Sequence, residues 1–229
     1  MISTATFSRA AKGLGLAAFL CAATSHAAIV TTLFPNDSTA DFAQWEGFAG
    51  AATDPQSPDL PGGLNNTTVT MSTAGVPAFP SGGNPSTFGG TVLYSGGSII
   101  PRYTFTNSVV ASLTGISTLI IQIQMEAPVL GNLNGDGATL TYGGNIVAPA
   151  FKNFDFTNRT YSWQYDLSSV PDGTFNFVVD GTAEHSALGG ARIDISTQSF
   201  TGVNLVPEPS GIVLALTGGL SVFFIRRRQ

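Results

Sequence analysis

The sequence predicts an all-β protein: an antiparallel β-sandwich of jelly-roll type with a long irregular N-terminal cap, set between a signal peptide and a single C-terminal hydrophobic helix. Three observations carry that prediction. From about residue 91 onward, apolar side chains recur at every second position, the period of a strand with one face on a core. Turn signals separate the alternating runs, at Asn134-Gly135, Asp136-Gly137, Gly143-Gly144, Pro171-Asp172-Gly173 and Asp180-Gly181. The body shows neither the 3.6-residue period of an amphipathic helix nor a repeat of fixed length, which favours a sandwich over a propeller or solenoid.

Taken in order, the chain opens with Arg9 and Lys12, an apolar stretch over 13–23, and then Ser25-His26-Ala27. A basic start, an apolar middle and a small-x-small end form a secretory signal peptide over 1–27, with cleavage expected between Ala27 and Ala28. Cys21, the single cysteine, lies inside it, so the mature body has no disulfide and no thiolate site. Leu20 occupies the place where a small residue precedes a lipidated cysteine, and Ile2 excludes N-myristoylation.

Residues 33–90 carry seven prolines and three glycine pairs, punctuation that interrupts helices and long strands alike. One strand is expected at 67–71. Residues 41–48, with Phe42, Trp45 and Phe48, are expected to form a helical turn or an aromatic plug over the core. Further on, strands are expected at 92–94, 99–105, 138–142 and 146–150. Leu119, Ile121, Ile123 and Met125 alternate with Ile120, Gln122, Gln124 and Glu126, so the first set faces the core and most of the second faces water. Tyr161, Trp163, Tyr165 and Leu167 repeat the pattern, as do Phe175, Phe177 and Val179, and Ile193 with Ile195. The body, 28–205, forms one domain.

Charge narrows the partners. Residues 28–208 contain four basic residues, Arg102, Lys152, Arg159 and Arg192, against fourteen acidic ones, a formal charge of −10. Nucleic acid is excluded as a partner, since phosphate binding needs clustered Lys and Arg.

Four constellations invite chemistry. Asn132-Leu133-Asn134-Gly135-Asp136-Gly137 resembles the first half of a calcium loop, with Asn132, Asn134 and Asp136 as weak ligand candidates. Position one lacks a carboxylate, and Gly143 stands where the bidentate glutamate belongs, so an Asn-Gly and Asp-Gly hairpin turn is the simpler expectation. His185, the body's only histidine, has Asp180, Glu184 and Ser186 nearby in sequence but no nucleophile-elbow motif, and is expected to be a loop residue. Glu46, Glu126 and Glu184 add to the aspartates from which a glycosidase pair could be drawn, although sequence does not show which are neighbours. Trp45, Tyr161, Trp163 and Tyr165 either stack on sugar rings or, more simply, form the buried face of strands. The body is expected not to be an enzyme and to need no cofactor beyond a possible calcium ion.

The C-terminus has a tripartite layout: Pro207-Glu208-Pro209, an apolar run over 211–225, and Arg226-Arg227-Arg228. Fifteen residues of helix reach roughly 22 Å, short of the ~20 residues that a ~30 Å bilayer core requires. The arginines set the orientation, with the body outside the cytoplasm. This layout over 206–229 resembles the PEP-CTERM sorting signal of Gram-negative bacterial surface proteins. The resemblance implies recognition of Pro207, Glu208 and Pro209 and the basic residues Arg226, Arg227 and Arg228 by an exosortase-type membrane protease. It also implies transient retention in the inner membrane, and release to the cell surface or beyond, often among exopolysaccharide. It covers only the tail and is silent on the body. The expected role is structural or adhesive, in extracellular matrix or biofilm; the alternative is a carbohydrate-binding module or polysaccharide-acting enzyme.

Overall fold

The computed structural model describes residues 29, 33–34, 37–48, 54–60, 62–64, 66–73, 84–88, 92–96, 100–109, 113–126, 132–156 and 159–202. The expected signal peptide with Ala27 and Ala28, and the tail with Pro207, Glu208, Pro209, the 211–225 run and Arg226, Arg227 and Arg228, lie outside the described residues. Among those described, no helix is long and apolar enough to cross a membrane.

The described chain is all-β, with two antiparallel sheets and one short 3-10 turn at Gly135–Gly137. The strands are β1 Asp41–Trp45, β2 Thr67–Thr73, β3 Asn84–Phe88, β4 Val92–Gly96, β5 Pro101–Asn107 and β6 Thr118–Met125. They continue with β7 Thr139–Tyr142, β8 Asn145–Val147, β9 Phe151–Asp155, β10 Thr160–Asp166, β11 Phe175–Asp180 and β12 Ala187–Ser196. The larger sheet runs β3-β4-β12-β6-β10-β9, with β1 also paired to β12. The smaller runs β2-β5-β11-β7-β8.

The inner faces of both sheets meet in one core. Leu119, Ile121 and Ile123 of β6, Tyr161, Trp163 and Tyr165 of β10, and Ile193 and Ile195 of β12 come from the larger sheet. They pack against Tyr103 and Phe105 of β5, Leu140 and Tyr142 of β7, and Phe175, Phe177 and Val179 of β11. Two ring contacts tie the layers: Trp163 lies 5.0 Å from Phe177 and Trp45 lies 5.6 Å from Phe105 edge-on, separations at which aromatic pairs attract. Period-two apolar patterning thus produces two half-apolar sheets, and burying both faces at once closes the sandwich.

Several expectations change. Residues 41–45 form a strand on the edge of β12, not a helical turn, although Trp45 and Phe48 are buried as a plug would require. The interrupted N-terminal region also holds β3, whose Pro85 sits in an outermost strand, where a missing N–H does not break a ladder. Beyond β8 the chain crosses from the smaller to the larger sheet and forms β9, an unexpected strand. Most significant, the outward side of β6 is wet only at its end: Ile120 and Gln122 are buried, as are Ser162 and Gln164 of β10, while Gln124 is half-buried and Glu126 exposed. The N-terminal segment lies on that face, with Leu33 and Phe34 packing on Ile120 and Ile29 approaching Gly190.

Gly143 and Gly144 join β7 to β8 with φ of 54° and 80°, the left-handed pair that a two-residue type I′ hairpin requires. A Cβ on Gly143 would stand 2.4 Å from the carbonyl oxygen of Pro171. Gly143→Ala is therefore expected to cost about 1–2 kcal/mol or more, read as a lowered midpoint in chemical denaturation; an unchanged midpoint would mean the turn relaxes freely.

Candidate functional site

Four places can be judged by geometry: the loop at 132–137, the surroundings of His185, and the outward faces of the two sheets.

The loop at 132–137 is clamped to the core rather than opened to a ligand. Leu133 bridges to Gly181, the Asn134 N–H donates to the Asp180 carbonyl at 2.8 Å, and the Thr182 N–H donates to the Asn132 carbonyl at 2.8 Å. The Asn134 side-chain oxygen caps the 3-10 turn by accepting from the Gly137 N–H at 3.2 Å. The indole N–H of Trp163 donates to the Gly135 carbonyl at 2.9 Å. Gly135 faces the Phe154 ring so closely that a Cβ would sit 2.6 Å from it. Asp136 turns outward to Lys152 at 3.0 Å, with the carboxylate largely exposed. Of the three calcium candidates, Asn134 is spent on the cap and Asp136 on an ion pair, while the Asn132 side-chain oxygen is buried without a hydrogen-bond partner. Among the described residues, no three His, Cys, Asp or Glu side chains gather as a metal-binding group.

His185 lies between β11 and β12 with φ of 56°, a backbone state uncommon outside glycine. Its Nδ1 is 2.5 Å from the Tyr94 hydroxyl. Two of the neighbours that sequence suggested for it, Asp180 and Ser186, are engaged elsewhere. Asp180 holds Arg102 through two bonds of 2.7 and 2.9 Å. The buried Ser186 hydroxyl donates to the Ala183 carbonyl at 2.9 Å. Glu46, Glu126 and Glu184 are exposed on three separate connections, after β1, after β6 and before β12; the Glu46 carboxylate accepts from Gln44.

Trp45, Tyr161, Trp163 and Tyr165 are wholly buried, which removes them as a stacking platform for sugars. Burial also raises the phenol pKa values: Tyr103 and Tyr165 are pushed far up, and Tyr142, which donates to the Leu113 carbonyl, to about 12.

The outward face of the larger sheet contains a polar row that sequence reading passed over. Antiparallel registers align Gln44, Arg192, Gln122 and Ser162 across β1, β12, β6 and β10, and all four are buried. Arg192 grips Asp194 with bonds of 2.7 and 2.9 Å, donates to Gln44, and stacks over the Phe42 ring at 4.1 Å. Burial drives the Asp194 carboxyl up to about 6, against the lowering influence of Arg192. The available clue was Arg192-Ile193-Asp194-Ile195, whose inward isoleucines place both charges on the opposite side. A cavity of about 100 Å³ near this face, lined by Leu33, Phe34, Thr118 and Gln198, is small beside ligand pockets of about 300 Å³ upward.

The outward face of the smaller sheet differs. One row aligns Thr68, Thr106, Asn176 and Thr141, and the next Thr70, Thr104, Val178 and Thr139, across β2, β5, β11 and β7. All eight side chains reach solvent. The Arg102–Asp180 pair closes one end. This array of hydroxyls emerges only when four strands distant in sequence are put in register.

A scan against protein-family models gives no match, and a search of curated proteins finds none significantly similar to this chain.

Proposed function

We propose that this chain is an exported surface protein with a structural or adhesive role in extracellular matrix or biofilm, its body a jelly-roll-like sandwich. A signal peptide over 1–27 directs export. A PEP-CTERM-type signal over 206–229 then holds the protein at the inner membrane until an exosortase-type protease acts. The observation that carries the role of the body is the commitment of both tryptophans and of Tyr103, Tyr142, Tyr161 and Tyr165 to the core, which leaves the outward face of the smaller sheet as a polar surface. The tail supports the destination: Pro207, Glu208 and Pro209 precede an apolar run too short for a comfortable span and a terminal arginine triplet.

Glu208→Ala is expected to leave the full-length, membrane-held form accumulating in the producing cell. Fractionation with mass spectrometry of the C-terminus reads the outcome, and processing unchanged from the parent rejects the sorting proposal. A second reading, a carbohydrate-binding module, is favoured by the solvent-accessible hydroxyl rows on the smaller sheet.

A further inference from the structure

We propose that the outward face of the smaller sheet binds a neutral, hydroxyl-rich polysaccharide chain lying across the strands. This rests on the extracellular, glycan-rich destination proposed above, and adds both the surface and the ligand class. The face is regular. Neighbouring strands lie about 4.8 Å apart, and like-facing residues along a strand about 6.8 Å apart. Thr68, Thr106 and Thr141 in one row, and Thr70, Thr104 and Thr139 in the next, therefore present hydroxyls on a two-dimensional grid. The step between strands is close to the length of one sugar unit in an extended pyranose chain. A chain crossing the sheet would thus meet a fresh hydroxyl at nearly every residue.

The chemistry of the grid matches both aspects of a sugar. Each threonine offers one donor and two acceptor sites beside a methyl group. Asn176 adds an amide that already engages Thr106 at 3.2 Å, and Val178 supplies an apolar patch between Thr104 and Thr139. Sugar hydroxyls would pair with the polar groups and ring C–H faces would cover the methyls.

Charge selects the partner. Threonine suits strands intrinsically, but propensity alone does not explain why this face lacks unpaired charge. Its one acid, Asp180, is neutralised by its one base, Arg102, through a two-bond pair, whereas residues 28–208 carry four bases against fourteen acids. A neutral surface on a strongly acidic body admits an uncharged chain and repels an anionic one.

The test uses the full-length chain in a polyoxyethylene detergent, run on native gels containing hydroxyethyl cellulose, mixed-linkage β-glucan or dextran. Carboxymethyl cellulose, a cellulose backbone bearing carboxylates, is the charged comparison. Retardation by at least one neutral polymer, stronger than by carboxymethyl cellulose, is expected. The double variant Thr104→Val, Thr106→Val keeps the branched shape and removes two hydroxyls. It should weaken binding about tenfold or more, while Thr106→Ser retains it and Thr197→Val, exposed just after β12 of the larger sheet, leaves it unchanged. Melting temperatures establish that all variants fold. Undiminished binding by the double variant overturns this face while leaving an adhesive role intact. Stronger retardation by carboxymethyl cellulose overturns the neutral partner. Absence of retardation by all three neutral polymers overturns the face as a neutral-glycan site, while the sorting proposal stands on its own measurement.

Discussion

Trp163→Ala is expected to destabilise the protein by about 3–5 kcal/mol, the range for truncating a buried large aromatic. The side chain is wholly buried and packs on Phe177 across the sheets at 5.0 Å and on Phe154 at 5.5 Å. Its indole N–H also fastens the 132–137 loop through the Gly135 carbonyl. Removal therefore opens a cavity between the sheets and leaves a carbonyl without its donor. Trp163→Phe separates the contributions, since it keeps most of the ring volume and forfeits the hydrogen bond. It should cost less than the alanine change while loosening 132–137 specifically, read by faster amide exchange at Asn134 and Gly137. A loss below ~1 kcal/mol for Trp163→Ala in urea titration would show that Trp163 does not hold the two sheets together.

The second large effect concerns the buried ion pair. Arg192→Met is expected to cost about 3–5 kcal/mol near pH 7.5, because Asp194 would be left as an uncompensated buried carboxylate. Asp194 lies buried beside Arg192, and burial already raises its carboxyl to about 6. The sign of the pH effect follows. An acid whose folded pKa exceeds its ordinary 3.8 contributes stability that is full below that value and is lost as pH rises through the folded pKa. The parent should lose part of its stability between about pH 4 and pH 7 from this group, and Asp194→Asn should flatten that portion.

With Arg192 gone, the folded pKa of Asp194 should climb further. The penalty for Arg192→Met should then be smaller at pH 5 than at pH 7.5, and Arg192→Met with Asp194→Leu should recover much of it. Equal penalties at the two pH values would remove the uncompensated-charge explanation. Asp37 and Asp166 act in the opposite sense. Burial opposes ionisation of Asp37, but hydrogen bonds from Ser196 and Thr39 prevail and lower its pKa, and Ser168 lowers that of Asp166. Their stabilisation disappears as pH falls below the ordinary carboxylate range, so the two influences occupy different windows.

The inward rows of β6, β10 and β11 were legible in the sequence, because a strand exposes alternate residues to opposite sides whatever surrounds it. The Gly143-Gly144 turn was legible for a similarly local reason: only glycine takes the left-handed geometry there without strain. The sequence also carried the expectation of export, from the layout of 1–27, and of sorting, from the resemblance of 206–229 to a PEP-CTERM signal. Alternation says that two faces exist and not which of them will be covered. Ile120 and Gln122 are dry because the N-terminal segment lies on their side of the larger sheet, while Thr104 and Thr106, at equivalent outward positions of the smaller sheet, reach water.

Long-range register decided the rest. β1 exists because 41–45 finds the free flank of β12, some 150 residues away, where local signals suggested a turn. Asn134 and Asp136 look like metal ligands in isolation and become a cap and an ion-pair partner once Lys152 and the Trp163 indole arrive from β9 and β10. Neither the Arg192 cluster nor the threonine grid is written in any single segment, since each joins strands scattered along the chain. Periodicity and turn chemistry are properties of a few consecutive residues, so the sequence determined them directly. Burial, charge pairing and surface pattern depend on which strands become neighbours, and only tertiary packing sets that.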